Sequence, residues 1–184
     1  MIITRRAFGL SALAATTLSA CGNGIGGTGA ATIDARVDST LNYLFQTYPD
    51  TRDLSGRAAG TLVMPLITEV GLGLGGSFGR GALKVSGATV DYYSAAAASA
   101  GIQIGAQQYS HVLFFMTADA LMEFRTSPGW VAGAGIEYAV NSNAETLLAD
   151  TTTSLSPVIG VVFGQTGLRV GATVEGVKYT RIIP

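Results

Sequence analysis

Ile33, Val37, Leu41, Leu44, Phe45 and Tyr48 recur at intervals of three and four along TIDARVDSTLNYLFQTYPD, with Asp34, Asp38, Asn42 and Gln46 between them. That spacing predicts an amphipathic helix, with Thr32 as its cap and Pro49 at its end. Its one basic residue, Arg36, is too little charge for a membrane-surface helix, so the apolar stripe is expected to face a core. Residues 53–59 can add one further helical turn. From Gly60 the pattern changes to short extended runs rich in β-branched and aromatic residues, separated by glycines and turn residues. These are TLVMPLI, VGLGLGGSF, GALKV, TVDYYSA, GIQIGAQ, HVLFFM, WVAGAGIEYAV, VIGVVFG, LRVGATVEG and KYTRIIP. HVLFFM lacks polar alternation, which suits a strand covered on both faces. Between these runs, Thr117 can cap a second helix, ADALMEFR, with Leu121 and Phe124 facing inward and Ser127-Pro128-Gly129 stopping it. The order predicts an α+β fold: a single domain dominated by antiparallel β-sheet, with an N-terminal amphipathic helix and a second short helix packed on it.

Within the second run, Gly71, Gly73 and Gly76 spell G-x-G-x-x-G, and Asp91 follows about 20 residues later, as in dinucleotide-binding loops. Context argues against that chemistry. A pyrophosphate loop needs a helix opening at its last glycine, whereas SFGRGALKVSGATV carries three more glycines and a hairpin turn at Ser86-Gly87. Val70, Leu72 and Leu74 alternate with Gly71, Gly73 and Gly75, which reads as a strand stripped bare on one face for close approach of a backbone or ring. Gly76 to Gly81 does not end in Gly-Lys-Ser/Thr, so a P-loop is absent as well.

Composition narrows the function classes. The 184 residues are 48% hydrophobic and only 12% charged, the composition of a folded, apolar body rather than a disordered one. A net charge of −1 argues against a nucleic-acid binder relying on a general basic field. His111 is the sole histidine and Cys21 the sole cysteine, so no ordinary zinc set exists and no metal or other cofactor is expected. No G-x-S-x-G elbow accompanies His111, which is expected to be structural. The chain is therefore not expected to be an enzyme.

Residues 1–20 carry Arg5 and Arg6 before an apolar run, Ala7 to Ala20, that is shorter than the ~20 residues a bilayer span needs. This is the layout of an export signal, and Thr4-Arg5-Arg6-Ala7-Phe8 resembles the twin-arginine motif. Leu18-Ser19-Ala20-Cys21 resembles a bacterial lipobox, in which the cysteine thiol is acylated and the chain is cut before it. Each buried methylene contributes about 0.8 kcal/mol, so two or three acyl chains on Cys21 would hold the protein stably without a spanning segment. Residues 21–31 then form a lipidated cysteine and glycine-rich tether, and 32–184 the folded body, with nine basic and twelve acidic residues left after the leader. Gly22, where inner-membrane lipoproteins commonly hold Asp, favours the periplasmic face of the outer membrane.

Several stretches together resemble the SYLF-domain family of lipid-binding proteins: GTLVMPLITEVGLGLGGSFGRGAL, VDYYSAAAASAGIQIGAQQYSHVLFFMT, ADALMEFRTSPGW and PVIGVVFGQTGLRVGATVEGVKYTRI. With the helix before them they cover about residues 32–184. The resemblance implies membrane-phospholipid binding, with phosphoinositides the ligands of eukaryotic members, some of which also regulate actin. The basic N-terminal segment used by those members is replaced here by an acidic-leaning one. For an exported bacterial protein, anionic lipids such as cardiolipin or phosphatidylglycerol are the expected partners, and actin is not. The cations available to grip a headgroup are Arg80, Lys84, Arg169, Lys178 and Arg181. Arg169, Lys178 and Arg181 are expected on neighbouring strands where they can converge, with Arg80 and Lys84 flanking the glycine strand. Gln103 and Gln107 read as an inward polar pair holding the sheet. A structural envelope lipoprotein without its own lipid ligand is the alternative.

Overall fold

The computed structural model describes residues 28–133, 136–140, 156–167 and 176–184. Helix α1 spans Gly29–Thr47 and buries Ile33, Val37 and Leu44, three positions of the expected stripe. It opens earlier than Thr32, taking three residues from the expected tether. Thr28 occupies the cap position without a side-chain cap bond, and the Thr32 hydroxyl instead donates to the Thr28 carbonyl at 2.8 Å. Pro49, expected as a stop, opens a second helix α2, Asp50–Arg57, because its fixed φ of −55° is already helical. The expected turn at 53–59 is the latter part of that helix. Buried Thr51 donates its hydroxyl to the Tyr48 carbonyl at 2.6 Å and ties the two helices together.

The sheet departs from the expected series of short strands. TLVMPLI, VGLGLGGSF and GALKV are one 26-residue strand β1, Gly60–Val85. TVDYYSA, GIQIGAQ and HVLFFM are one 28-residue strand β2, Ala88–Phe115. The two form an antiparallel hairpin paired from Gly60↔Phe115 to Val85↔Ala88, turning at Ser86 (φ 50°) and Gly87 (φ 81°). Two consecutive positive φ values make the primed turn that matches strand twist. Glycines read as breaks are therefore interior to the strands. Irregularities fall instead between Met64 and Ile67, Leu72 and Leu74, and Leu83 and Lys84. Pro65 sits in the first of these, where a missing N–H breaks no ladder bond, and its carbonyl accepts from Ser110 Oγ at 2.6 Å.

Downstream lie α3 (Ala118–Thr126), β3 (Trp130–Val131), β4 (Ile136–Val140), β5 (Val158–Gly167) and β6 (Lys178–Ile182). Thr117 caps α3 as expected, its hydroxyl accepting from Ala120 N at 3.2 Å. The C-terminal half of β2 pairs β5 and its N-terminal half pairs β6, so the long hairpin carries a different neighbour at each end. β3 extends the sheet beyond β6, and β4 extends it beyond β5. The β4–β5 pair is parallel, an exception in an otherwise antiparallel sheet.

The hairpin also bends back upon itself. A Cβ at Gly81 would overlap the Val63 carbonyl oxygen, and one at Gly79 would overlap the Leu66 carbonyl oxygen. The later half of β1 thus lies against its earlier half, and Gly79 and Gly81, rather than the Gly71, Gly73 and Gly75 of the expected bare face, give the room for that approach. Curling the sheet divides the interior in two. One core, beneath α1, gathers Val37, Leu44, Val63, Ala82, Val112, Phe114, Ile159 and Val161. The other, inside the curl and closed by α3, gathers Leu62, Ile67, Leu83, Leu113, Phe115, Phe124, Val162 and Tyr179. His111 to Phe115 are all buried because successive side chains enter opposite cores, as the unbroken apolar run predicts.

Candidate functional site

His111 is fully buried, and its Nε2 lies 2.7 Å from the Tyr179 hydroxyl across the curl. Burial lowers its pKa from 6.5 to about 3, so the imidazole is neutral at physiological pH. Its Nδ1 has no hydrogen-bond partner among the described residues, and no carboxylate orients it. This is a packed, polar crosslink between strands rather than a poised base. Gln107 is buried as expected and donates to Glu69 Oε2 at 3.3 Å, joining cross-strand partners. The side chain of Gln103 lies outside the described residues.

The five expected cations divide. Arg169 lies outside the described residues. Lys84 is ion-paired with Asp38 of α1, which docks the helix on the hairpin. Two further bonds support that docking: Asp34 accepts from Thr89 Oγ1 at 2.9 Å and from the Tyr92 hydroxyl at 2.8 Å. The Tyr92 pKa is raised, first by desolvation and then by that bond to Asp34. Arg181 Nε lies 3.5 Å from Asp91, which also receives Arg125 Nε at 2.9 Å, and Arg181 Nη2 donates to the Arg125 carbonyl at 3.1 Å. Beside this cluster the Tyr93 hydroxyl is buried, and its pKa is raised chiefly by desolvation. Asp91, the acid a dinucleotide loop would need, is thus committed to two arginines. β1 meanwhile continues as strand through Gly76 with no helix following.

The expected convergence of Lys178 with Arg181 does not occur. They are three residues apart on one strand, and an odd separation sends them to opposite faces. Arg181 shares the inner face with Tyr179 and Tyr93. Lys178 faces outward, in register with Ala96, which in turn opposes Phe78. Val131 opposes Lys178 from the far side. One residue pair along, Arg80, Ser94 and Thr180 form the next row of the same face. Arg80 and Lys178 therefore share an outward surface two strands apart, and neither forms an ion pair among the described residues. Phe78 and Val131, each 52% exposed, flank them, and the Arg80 guanidinium sits 6.0 Å from the Phe78 ring centroid. The charge pattern was readable from sequence; the exposed Phe78 and Val131 were not singled out. Their signal was the alternation of Phe78 and Arg80 with glycine, legible only once the strand's outer side is known.

Residues 96–181 match a family model, Ysc84, described as Las17-binding protein actin regulator. Over these 86 of the 184 residues the chain is similar to the Ysc84/SYLF domain family. A comparison with curated proteins returns no match. The Ysc84 region covers the later part of β2, α3 and the strands through Arg181 of β6. Its β2 is paired along its length with β1, which precedes the matched region, so the sheet and both cores are completed by residues from outside it. Among the described residues no helix is long and apolar enough to cross a membrane, and no cluster of His, Cys, Asp or Glu could hold a metal.

Proposed function

We propose that this chain is a phospholipid-binding module of the bacterial cell envelope, held at the membrane by acyl chains on Cys21 and binding anionic headgroups through its folded body. The reading makes it a binding protein and not an enzyme. One observation supports it above the rest: on the sheet that carries the Ysc84 match, Arg80 and Lys178 form no ion pair among the described residues and share an outward face with exposed Phe78 and Val131. Unpaired surface cations gain most from a negatively charged interface, about 1 kcal/mol per residue near the surface. Arginine grips phosphate bidentately, and Phe78 supplies an apolar neighbour at the same height. Lys84 and Arg181, already satisfied by Asp38 and Asp91, are secondary. In this reading Arg5 and Arg6 support the twin-arginine export route, Cys21 supports the acyl anchor, and Gly22 favours the periplasmic face of the outer membrane.

Vesicle flotation tests the headgroup claim. The Cys21→Ser chain, which carries no acyl anchor, should float with phosphatidylcholine vesicles containing phosphatidylglycerol and not with phosphatidylcholine alone. Arg80→Gln with Lys178→Gln should weaken the vesicle partition roughly thirtyfold, the loss expected when two attractions of about 1 kcal/mol are removed. Equal flotation by the double variant would reject these two residues as the contacts. No flotation at any composition would favour the structural-lipoprotein reading.

A further inference from the structure

Where β1 crosses itself, the outward surface changes character. The Leu66 backbone lies against Gly79, so two exposed side chains, Leu66 (41%) and Phe78 (52%), come from the two passes of β1 that meet there. Leu66 and Pro65 also form one wall of a groove of about 630 Å³ whose other wall is the first half of α1, including Ala31, Thr32 and Arg36. The groove lining contains no acidic residue, and Arg36 forms no ion pair among the described residues. The acids of α1 that face the sheet, Asp34 and Asp38, are already bonded to Thr89, Tyr92 and Lys84. The result is an apolar ridge, Leu66 and Phe78, bracketed by the unneutralised cations Arg36 and Arg80.

The chain's own path supplies a second argument. Thr28 begins the described residues one turn before the groove. Seven peptide units from Cys21 to Thr28 can span at most about 25 Å. An acylated Cys21 would therefore hold the groove mouth close to the bilayer that carries the acyl chains.

We propose that this ridge and groove, on the α1 side of the sheet, form the face that docks on an anionic bilayer. Leu66 and Phe78 enter the interface, and Arg36 and Arg80 take headgroup phosphates. The inference rests on the lipid-binding reading above and adds an orientation, with α3 pointing away from the membrane. Arg36 thereby gains a role that its position on a core-facing helix did not suggest.

Site-specific labelling of the full chain tests it. Cys21→Ser leaves one thiol to be introduced, as Phe78→Cys on the ridge or Met122→Cys on α3. Both positions are more than half exposed, so neither substitution removes core contacts; an unchanged melting temperature confirms each fold. An environment-sensitive fluorophore on each thiol is read with vesicles of phosphatidylcholine and phosphatidylglycerol at 7:3. The Phe78→Cys label should brighten at least about threefold while the Met122→Cys label stays unchanged, as expected for burial at an interface. Arg36→Glu with Arg80→Glu should abolish that rise. If the Met122→Cys label responds and the other does not, lipid binding stands and the orientation is overturned. If neither responds at any composition, both the orientation and the lipid-binding reading fail.

Discussion

His111 shows how one side chain ties stability to pH. Its pKa in the folded protein, about 3, lies below the 6.5 of the unfolded chain. Between these values the unfolded state binds the extra proton, so this contribution is complete above pH 6.5 and is lost as pH falls towards 3. From pH 6.5 to 5 the loss is about 1–2 kcal/mol. His111→Gln, which keeps a hydrogen-bonding group beside Tyr179, should flatten the melting temperature over that interval. An unchanged slope would show that the ring is protonated in place. Gly81 makes a steric claim at the same scale. Gly81→Ala forces a methyl into the Val63 carbonyl and should cost about 2–3 kcal/mol by denaturant unfolding. In contrast Gly56→Ala, with nothing near the added methyl in α2, should stabilise by up to about 1 kcal/mol. The sequence pattern pointed to a close approach at Gly71, Gly73 and Gly75, whereas the one the structure shows is at Gly79 and Gly81, because a strand meeting its own earlier half leaves no mark on local spacing.

Among the elements, α1 and α3 were the most legible. Both are amphipathic, and both bury the residues their period selects: Val37 and Leu44 in one, Phe124 in the other. The start of α1 was misread and its stop before Pro49 was not, although Thr32 and Pro49 have two uses each. A threonine bonds back to a carbonyl inside a helix as readily as it caps one, and a proline suits a first turn as well as a stop. The first six runs were located correctly but cut too finely, WVAGAGIEYAV is instead two strands on opposite edges of the sheet, and LRVGATVEG lies, but for Gly176, outside the described residues. Gly71 to Gly76 and Pro65 are breakers in a flat strand, yet a strand that must curl uses them as its points of bending. The docking of α1 rests on Asp34, which accepts two hydrogen bonds from the hairpin. Asp34→Ala should cost about 1–2 kcal/mol and leave the Tyr92 and Thr89 hydroxyls without their partner. Hydrogen exchange should then speed up in α1 before it does in β2; uniform protection across both would contradict that division.

For the molecule as a whole, two cores on either side of one folded hairpin leave an outer face whose cations are not needed for stability. Arg125 and Arg181 lock the inner side through Asp91, and Lys84 locks α1, but Arg36, Arg80 and Lys178 hold nothing together among the described residues. The sequence supplied those cations as a set; it could not divide them, because the parity of Lys178 and Arg181 matters only once their strand's neighbours are known. A surface built this way should respond to an anionic bilayer through charge first and apolar contact second. The most direct measurement is the partition of the Cys21→Ser protein, which has no acyl anchor, onto vesicles as phosphatidylglycerol rises from none to about a third of the lipid, at low and at high salt. The account predicts binding that climbs at least about tenfold with anionic lipid and falls back as salt screens the interface. Binding indifferent to both would contradict it.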